Sequence, residues 1–197
     1  MKSLQLSEPH AIILVGIPGS GKSFFAEHFA ETFNAPLISY ANIRAKLFSK
    51  QHDERSETAT VRKAAGILLA ELLKTKQTIV FDGSTDTKAE RLKISNVIES
   101  RGYRPVLLWV QTESNTAKAR ATKRTKDGHY LSDDEFVAAL GSFMPPTKSE
   151  NAIVISGKHT YASQLKIVLK RLTEARSQLV DESSPKKRLF DRHIAIR

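Results

Sequence analysis

Gly16-Ile17-Pro18-Gly19-Ser20-Gly21-Lys22-Ser23, GIPGSGKS, satisfies the pattern G-x-x-x-x-G-K-[ST]. Its neighbours agree with it on both sides. Ala11-Ile-Ile-Leu-Val15 is an apolar, β-branched run, as expected of a strand buried on both faces. From Ser23 to Phe33, residues Phe25, Phe29 and Phe33 recur at i, i+4 and i+8 and form one helical stripe. Strand, glycine loop and helix in that order predict a phosphate-binding loop. Glycines let the backbone curl until several N–H groups converge, and the helix N-terminus adds partial positive charge. The expected cradle is Gly16, Pro18, Gly19, Ser20, Gly21, Lys22 and Ser23, with Phe24 at its exit. Lys22 is expected to reach the β- and γ-phosphates and the Ser23 hydroxyl to ligate Mg²⁺. The ligand expected is a nucleoside triphosphate.

Length and composition narrow what can surround such a loop. A chain of 197 residues with 40% hydrophobic residues suffices for one α/β domain with a packed core. The domain is expected over residues 1–182, with a basic tail over 183–197. Absence of cysteine excludes disulfides and thiolate chemistry. MKSLQLSEPH lacks the apolar centre of a signal peptide, and no apolar run approaches membrane-spanning length, so a cytoplasmic chain without membrane contact is expected. The net charge of +10 has two readings: a surface for polyanions, nucleic acid included, or the cations a phosphate site and solubility require. The tail from Pro185 to Arg197 carries part of that excess, as a basic arm or as a simple terminus.

Further along, short apolar runs alternate with helical patterns. Strands are expected at Ala35–Tyr40, Thr78–Asp82, Pro105–Val110 and Ala152–Ser156. Helices are expected over Ala41–Phe48, over Ser56–Lys76 with Ser56 as cap, and over Lys88–Arg101 with Leu92, Ile94, Val97 and Ile98 inward. Further helices are expected over Ser114–Lys126, after the capping box Ser132-Asp-Asp-Glu135, and from Tyr161 to Leu179. This alternation implies a parallel sheet covered on both faces, with ligands beyond the carboxyl ends of the strands.

The residues at those ends carry the functional reading. Asp82 closes an apolar run and would sit beside Ser23 to hold Mg²⁺, or else serves its Asp-Gly turn. Arg120 and Arg124, four apart, lie on one helix face, either a solvated basic face or part of a lid over the triphosphate, about residues 114–146. Ser156-Gly-Lys-His159 follows the last strand, where a nucleobase could pack. His52 and His129 have no ligand-spaced partners, which argues against zinc, and Trp109 reads as core.

Taken in order, GIPGSGKS, Ile43-Arg44, His52-Asp-Glu-Arg55, Asp82-Gly-Ser-Thr-Asp-Thr-Lys-Ala-Glu-Arg91 and Arg120-Ala-Thr-Lys-Arg124 resemble P-loop kinases of the polynucleotide-kinase type. Zeta-toxin-like and related small ATP-dependent kinases, within the AAA-type ATP-binding group, lie nearby. The resemblance spans about residues 10–172. It implies a three-layer sandwich with a five-stranded parallel sheet in order 2-3-1-4-5 and a helical lid over ATP. It also implies transfer of the γ-phosphate to a hydroxyl. By the same resemblance Arg44 would grip a phosphate-bearing acceptor, a nucleotide or a polynucleotide 5′ end, and Arg124 would contact ATP; the assigned catalytic set is Lys22, Asp82 and Arg124. No assembly state is implied.

One departure stands out. The family pattern places an aspartate, the general base, three residues before this arginine, where the chain has Ala41 followed by Asn42. A positioned base is worth about 10²–10⁴-fold, yet phosphoryl transfer rests chiefly on positioning and charge neutralisation. Three readings follow: another acid (Asp82, Asp53 or Asp86) takes the proton, the acceptor needs no base, or ATP is bound without transfer. A nucleic-acid-binding protein with a vestigial P-loop is a further alternative resting on charge alone.

Overall fold

The computed structural model describes residues 8–48, 54–123 and 130–183. Five strands, β1 (His10–Val15), β2 (Leu37–Ser39), β3 (Ile79–Asp82), β4 (Arg104–Gln111) and β5 (Ile153–Ser156), form one sheet in the order β2-β3-β1-β4-β5. Every pairing is parallel. Among the described residues seven α-helices accompany it: α1 (Lys22–Phe33), α2 (Tyr40–Leu47), α3 (Glu54–Leu72), α4 (Lys88–Glu99), α5 (Ser114–Ala121), α6 (Asp133–Ser142) and α7 (Tyr161–Ser183). This is the three-layer sandwich expected of a P-loop NTPase, with the expected strand order.

The run HAIILV explains the layering. Successive strand residues face opposite sides, so Ala11, Ile13 and Val15 pack with Leu69 of α3, with Leu73 just beyond it and with Ile98 of α4. Ile12 and Leu14 pack with Phe25 and Phe29 of α1 and with Val168 and Leu172 of α7. Both phenylalanines are fully buried, each contributing about 1.5–3 kcal/mol. Trp109 joins the core as expected. No helix of the described residues is long and apolar enough to cross a membrane.

Several expectations need correction. Ser56 lies inside α3, which begins at Glu54, and does not cap it. The basic helix stops at Ala121, with Thr122 Oγ1 donating back to the Lys118 carbonyl at 3.0 Å. In α4, Leu92 and Val97 are 57% and 43% exposed, while Arg91 and Ile98 are buried. The hydrophobic stripe is displaced because Arg91 is paired with the Glu150 carboxylate and so occupies a core position. Thr87 and Glu90 also form a capping box that opens this helix. The capping box at Ser132 and Glu135 is present as expected.

Candidate active site

The chain passes from β1 to β2 on one side of the sheet centre and from β3 to β4 across it. The resulting crevice lies at the carboxyl end of β1. Gly16–Gly21 fills it. Gly19 has φ +74° and Gly21 φ +103°, and a Cβ at Gly19 would collide with the Ala117 carbonyl of α5. Glycine is therefore required there both by the left-handed backbone and by the close packing of the loop against that helix. Ile17 completes the contact, buried with Ala117 and with Phe136 of α6.

Lys22 Nζ donates to the carbonyls of Gly16 and Ile17 at 2.6 and 3.0 Å, folding the ammonium over the mouth of the loop. Burial pushes its pKa down, countered by the charges of Asp82 and Asp86. Ser23 Oγ donates to Asp82 Oδ2 at 2.6 Å, joining the P-loop helix to the end of β3. A hydroxyl and a carboxylate so placed are hard oxygen donors that fit Mg²⁺, which takes one or two protein ligands plus phosphate oxygens and water. Among the described residues no group of three or more His, Cys, Asp or Glu could hold a metal ion. Ser20 Oγ is fully buried inside the loop and makes no hydrogen bond.

On the β4–β5 side the loop is buttressed by backbone contacts. Thr112 Oγ1 donates to the Ser20 carbonyl at 2.8 Å, and Gly157 lies so close that a Cβ would strike the same carbonyl. Arg120 Nη1 donates to the Gly157 carbonyl at 3.0 Å. Arg120 and the 156–159 loop, read separately from sequence, thus meet beside the cradle. Lys158 bonds Glu113 at 2.6 Å, and Lys118 bonds Asp133 at 3.1 Å, tying α5 to the last loop and to α6. Phe24 is 48% exposed and its ring lies tilted against His28, with centroids 4.2 Å apart.

Arg44 projects from α2 and pairs with Glu57 at 2.7 Å and with Thr58 at 3.0 Å. Glu57 is itself buried, so the guanidinium is held in one orientation. Arg124, His52, Asp53, His129 and the basic tail lie outside the described residues.

Sequence reasoning did not assign a role to Arg91. Only 1% exposed, it donates Nε and Nη2 to Glu150 at 2.6 and 3.2 Å. Its Nη1 donates to the carbonyls of Thr85, Asp86 and Met144. The pairing holds the Glu150 carboxyl down to about 2. The available signal was its spacing with Ile94 and Ile98, one helical stripe containing a charge.

Solved structures carry the same architecture. A gluconokinase from Sinorhizobium meliloti 1021 superposes with a TM-score of 0.61 at 20% identity, covering 89% of this chain and 98% of that one. The APS kinase CysC of Mycobacterium tuberculosis, in complex with AMPPNP and APS, gives 0.61 at 14% identity, covering 85% and 98%. A chain of the Pnkp1/Rnl/Hen1 RNA repair complex gives 0.60 at 18% identity, covering 71% and 45%. At these identities the likeness is one of fold. No curated protein matches the chain. A family model described as an AAA domain matches residues 12–146, more than half of the chain, and this protein belongs to that AAA domain family of P-loop NTPase folds.

Proposed function

We propose that this protein is an ATP- and Mg²⁺-dependent phosphotransferase that passes the γ-phosphate to a hydroxyl on a phosphate-bearing acceptor, a nucleotide or a polynucleotide 5′ end. The observation that carries the reading is the 2.6 Å bond between Ser23 and Asp82 next to Lys22, which brings two oxygen donors suited to Mg²⁺ beside a lysine suited to phosphate. Mg²⁺, when bound, would neutralise charge on the β- and γ-phosphates. Lys22 would leave the Gly16 and Ile17 carbonyls for the phosphate chain, exchanging two neutral acceptors for a charged one. Arg120, beside the 156–159 loop, would border the base end of the nucleotide. Arg44, oriented by Glu57 and Thr58, would bind the acceptor phosphate; only two of its five N–H donors are used in those bonds. The net charge of +10 favours a polyanionic acceptor. Proteins of this fold include a gluconokinase, an APS kinase and an RNA repair component, which is why the acceptor is argued from Arg44 and charge.

The test is transfer of labelled γ-phosphate from ATP·Mg²⁺ to 5′-hydroxyl DNA, 5′-hydroxyl RNA, nucleosides and sugar alcohols, beside a lane without acceptor. Label should appear on a 5′-hydroxyl nucleic-acid acceptor and fall about 10²-fold or more in Lys22→Ala, the scale of one lost charge-stabilising donor. Full transfer by Lys22→Ala would refute the assignment. A second reading, nucleotide binding without transfer, is favoured by Ala41; it requires bound ATP with no label released.

A further inference from the structure

Position 41, where the family pattern has an aspartate, is Ala41, and a carboxylate, Asp86, follows the neighbouring strand β3. β2 and β3 end in register, Ser39 opposite Asp82, so the segments beyond them leave the sheet side by side. Tyr40, the residue before Ala41, packs against Gly83 closely enough that a Cβ there would lie 2.5 Å from its ring. Four residues beyond Asp82 in the same segment comes Asp86.

The backbone around Asp86 is pinned from three directions. Thr85, fully buried, donates Oγ1 at 2.7 Å to the carbonyl of Leu14, two residues before Gly16. The segment therefore turns back over β1 at the entrance to the P-loop. Arg91 Nη1 donates to the Thr85 and Asp86 carbonyls at 3.0 and 3.3 Å. Met144 N, just past α6, donates to the Asp86 carbonyl at 2.8 Å. The Asp86 carboxyl and the Lys22 ammonium lie within each other's field. The backbone that carries this carboxylate is thus fixed before substrate arrives, at the entrance to the phosphate loop.

The other described acids of this region are engaged. Asp82 accepts the Ser23 hydroxyl, Glu57 pairs with Arg44, and Glu90 closes its capping box while binding Ser84 and Arg62. We propose that Asp86 is the general base of the reaction, standing in from the β3 segment for the acid missing at position 41. This inference rests on the phosphotransferase reading above. In the step, the acceptor oxygen forms its bond to the γ-phosphorus as the bond from that phosphorus to the β,γ-bridging oxygen breaks. The acceptor proton passes to Asp86, and ADP leaves with the bond's electron pair. Burial, with the Glu90 charge adding to it and Lys22 and Arg91 opposing, pushes the Asp86 carboxyl up, making it a stronger proton acceptor than an exposed aspartate.

The experiment uses the full chain and follows ATP·Mg²⁺ turnover, both to 5′-hydroxyl oligonucleotide and to water, in wild type, Lys22→Ala, Asp86→Asn and Asp86→Asn/Ala41→Asp. Asp86→Asn is expected to lower kcat about 10²-fold with the Kd for ATP within twofold. It should also remove the acid limb of the kcat–pH profile, and Ala41→Asp should restore at least about tenfold of the loss. A kcat within threefold of wild type in Asp86→Asn overturns the inference while leaving the phosphotransferase intact, provided Lys22→Ala is inactive. A fall in turnover matched by an equal loss of ATP affinity also overturns it and makes the role of Asp86 structural. Wild type without any turnover overturns the phosphotransferase reading itself, and the inference with it.

Discussion

Arg91 and Glu150 offer a place where charge, burial and the site can be separated experimentally. Arg91 is 1% exposed and Glu150 11% exposed, joined by bonds of 2.6 and 3.2 Å. Glu150→Gln keeps an acceptor for Thr147 N, which Glu150 bonds at 2.8 Å, but removes the negative charge opposite a buried guanidinium. A carboxyl held at about 2 instead of 4.5 contributes about 3 kcal/mol of stability at neutral pH, and residual solvent contact at Glu150 makes that an upper figure. Breaking a buried pair costs about 3–5 kcal/mol, the same range. The sign follows from the direction of the shift. A depressed carboxyl contributes fully above its unfolded pKa of 4.5 and loses that contribution as pH falls toward about 2. Urea unfolding of wild type and Glu150→Gln should therefore differ by about 3 kcal/mol at pH 7 and by only about 1.4 kcal/mol at pH 3. Equal differences at the two pH values, or a difference below about 0.5 kcal/mol at pH 7, would refute the argument that this pair is a charge-dependent anchor for the buried Arg91. Because Arg91 also binds the Thr85, Asp86 and Met144 carbonyls, turnover should fall with stability in this variant.

Other perturbations probe separate parts of the molecule. Asp82→Asn should raise the Mg²⁺ concentration for half-maximal ATP turnover by about 10–100-fold, measured by Mg²⁺ titration; an unchanged midpoint would remove Asp82 from the metal site. Gly157→Ala forces a methyl against the Ser20 carbonyl, and thermal unfolding should show a loss of about 1–3 kcal/mol with weaker ATP binding. Unchanged stability and affinity would show that this loop does not buttress the cradle. His10, 5% exposed at the start of β1, has its pKa pushed down by burial. The unfolded chain therefore binds more protons, and stability should decline as pH falls below 6.5. His10→Gln should flatten that part of the curve, and an unchanged slope would exclude His10 as its source.

The agreement between pattern and structure has a local cause. HAIILV, GIPGSGKS and the Phe25, Phe29 stripe are contiguous, so periodicity and glycine spacing alone place strand, cradle and helix. The same holds for the Ser132 capping box, whose partners are three residues apart. Asp82 was legible as a residue ending a buried strand. Its 2.6 Å bond to Ser23 spans a separation of 59 residues, and only strand pairing establishes that.

Arg91 shows where reading by hydrophobicity fails. A charged residue scores as solvent-facing, so Leu92 and Val97 look inward, yet Arg91 is buried because Glu150, 59 residues later, neutralises it. Likewise Arg44 reads as an open cation until Glu57 is seen beside it. The sequence by itself determined the phosphate cradle, the alternation of strands and helices and the parallel sheet, because each is set by residues within a turn or two of one another. The tertiary structure decided which charges meet: Ser23 with Asp82, Arg44 with Glu57, Arg91 with Glu150. Those encounters depend on the lateral order of strands, a long-range outcome of packing that no local spacing encodes.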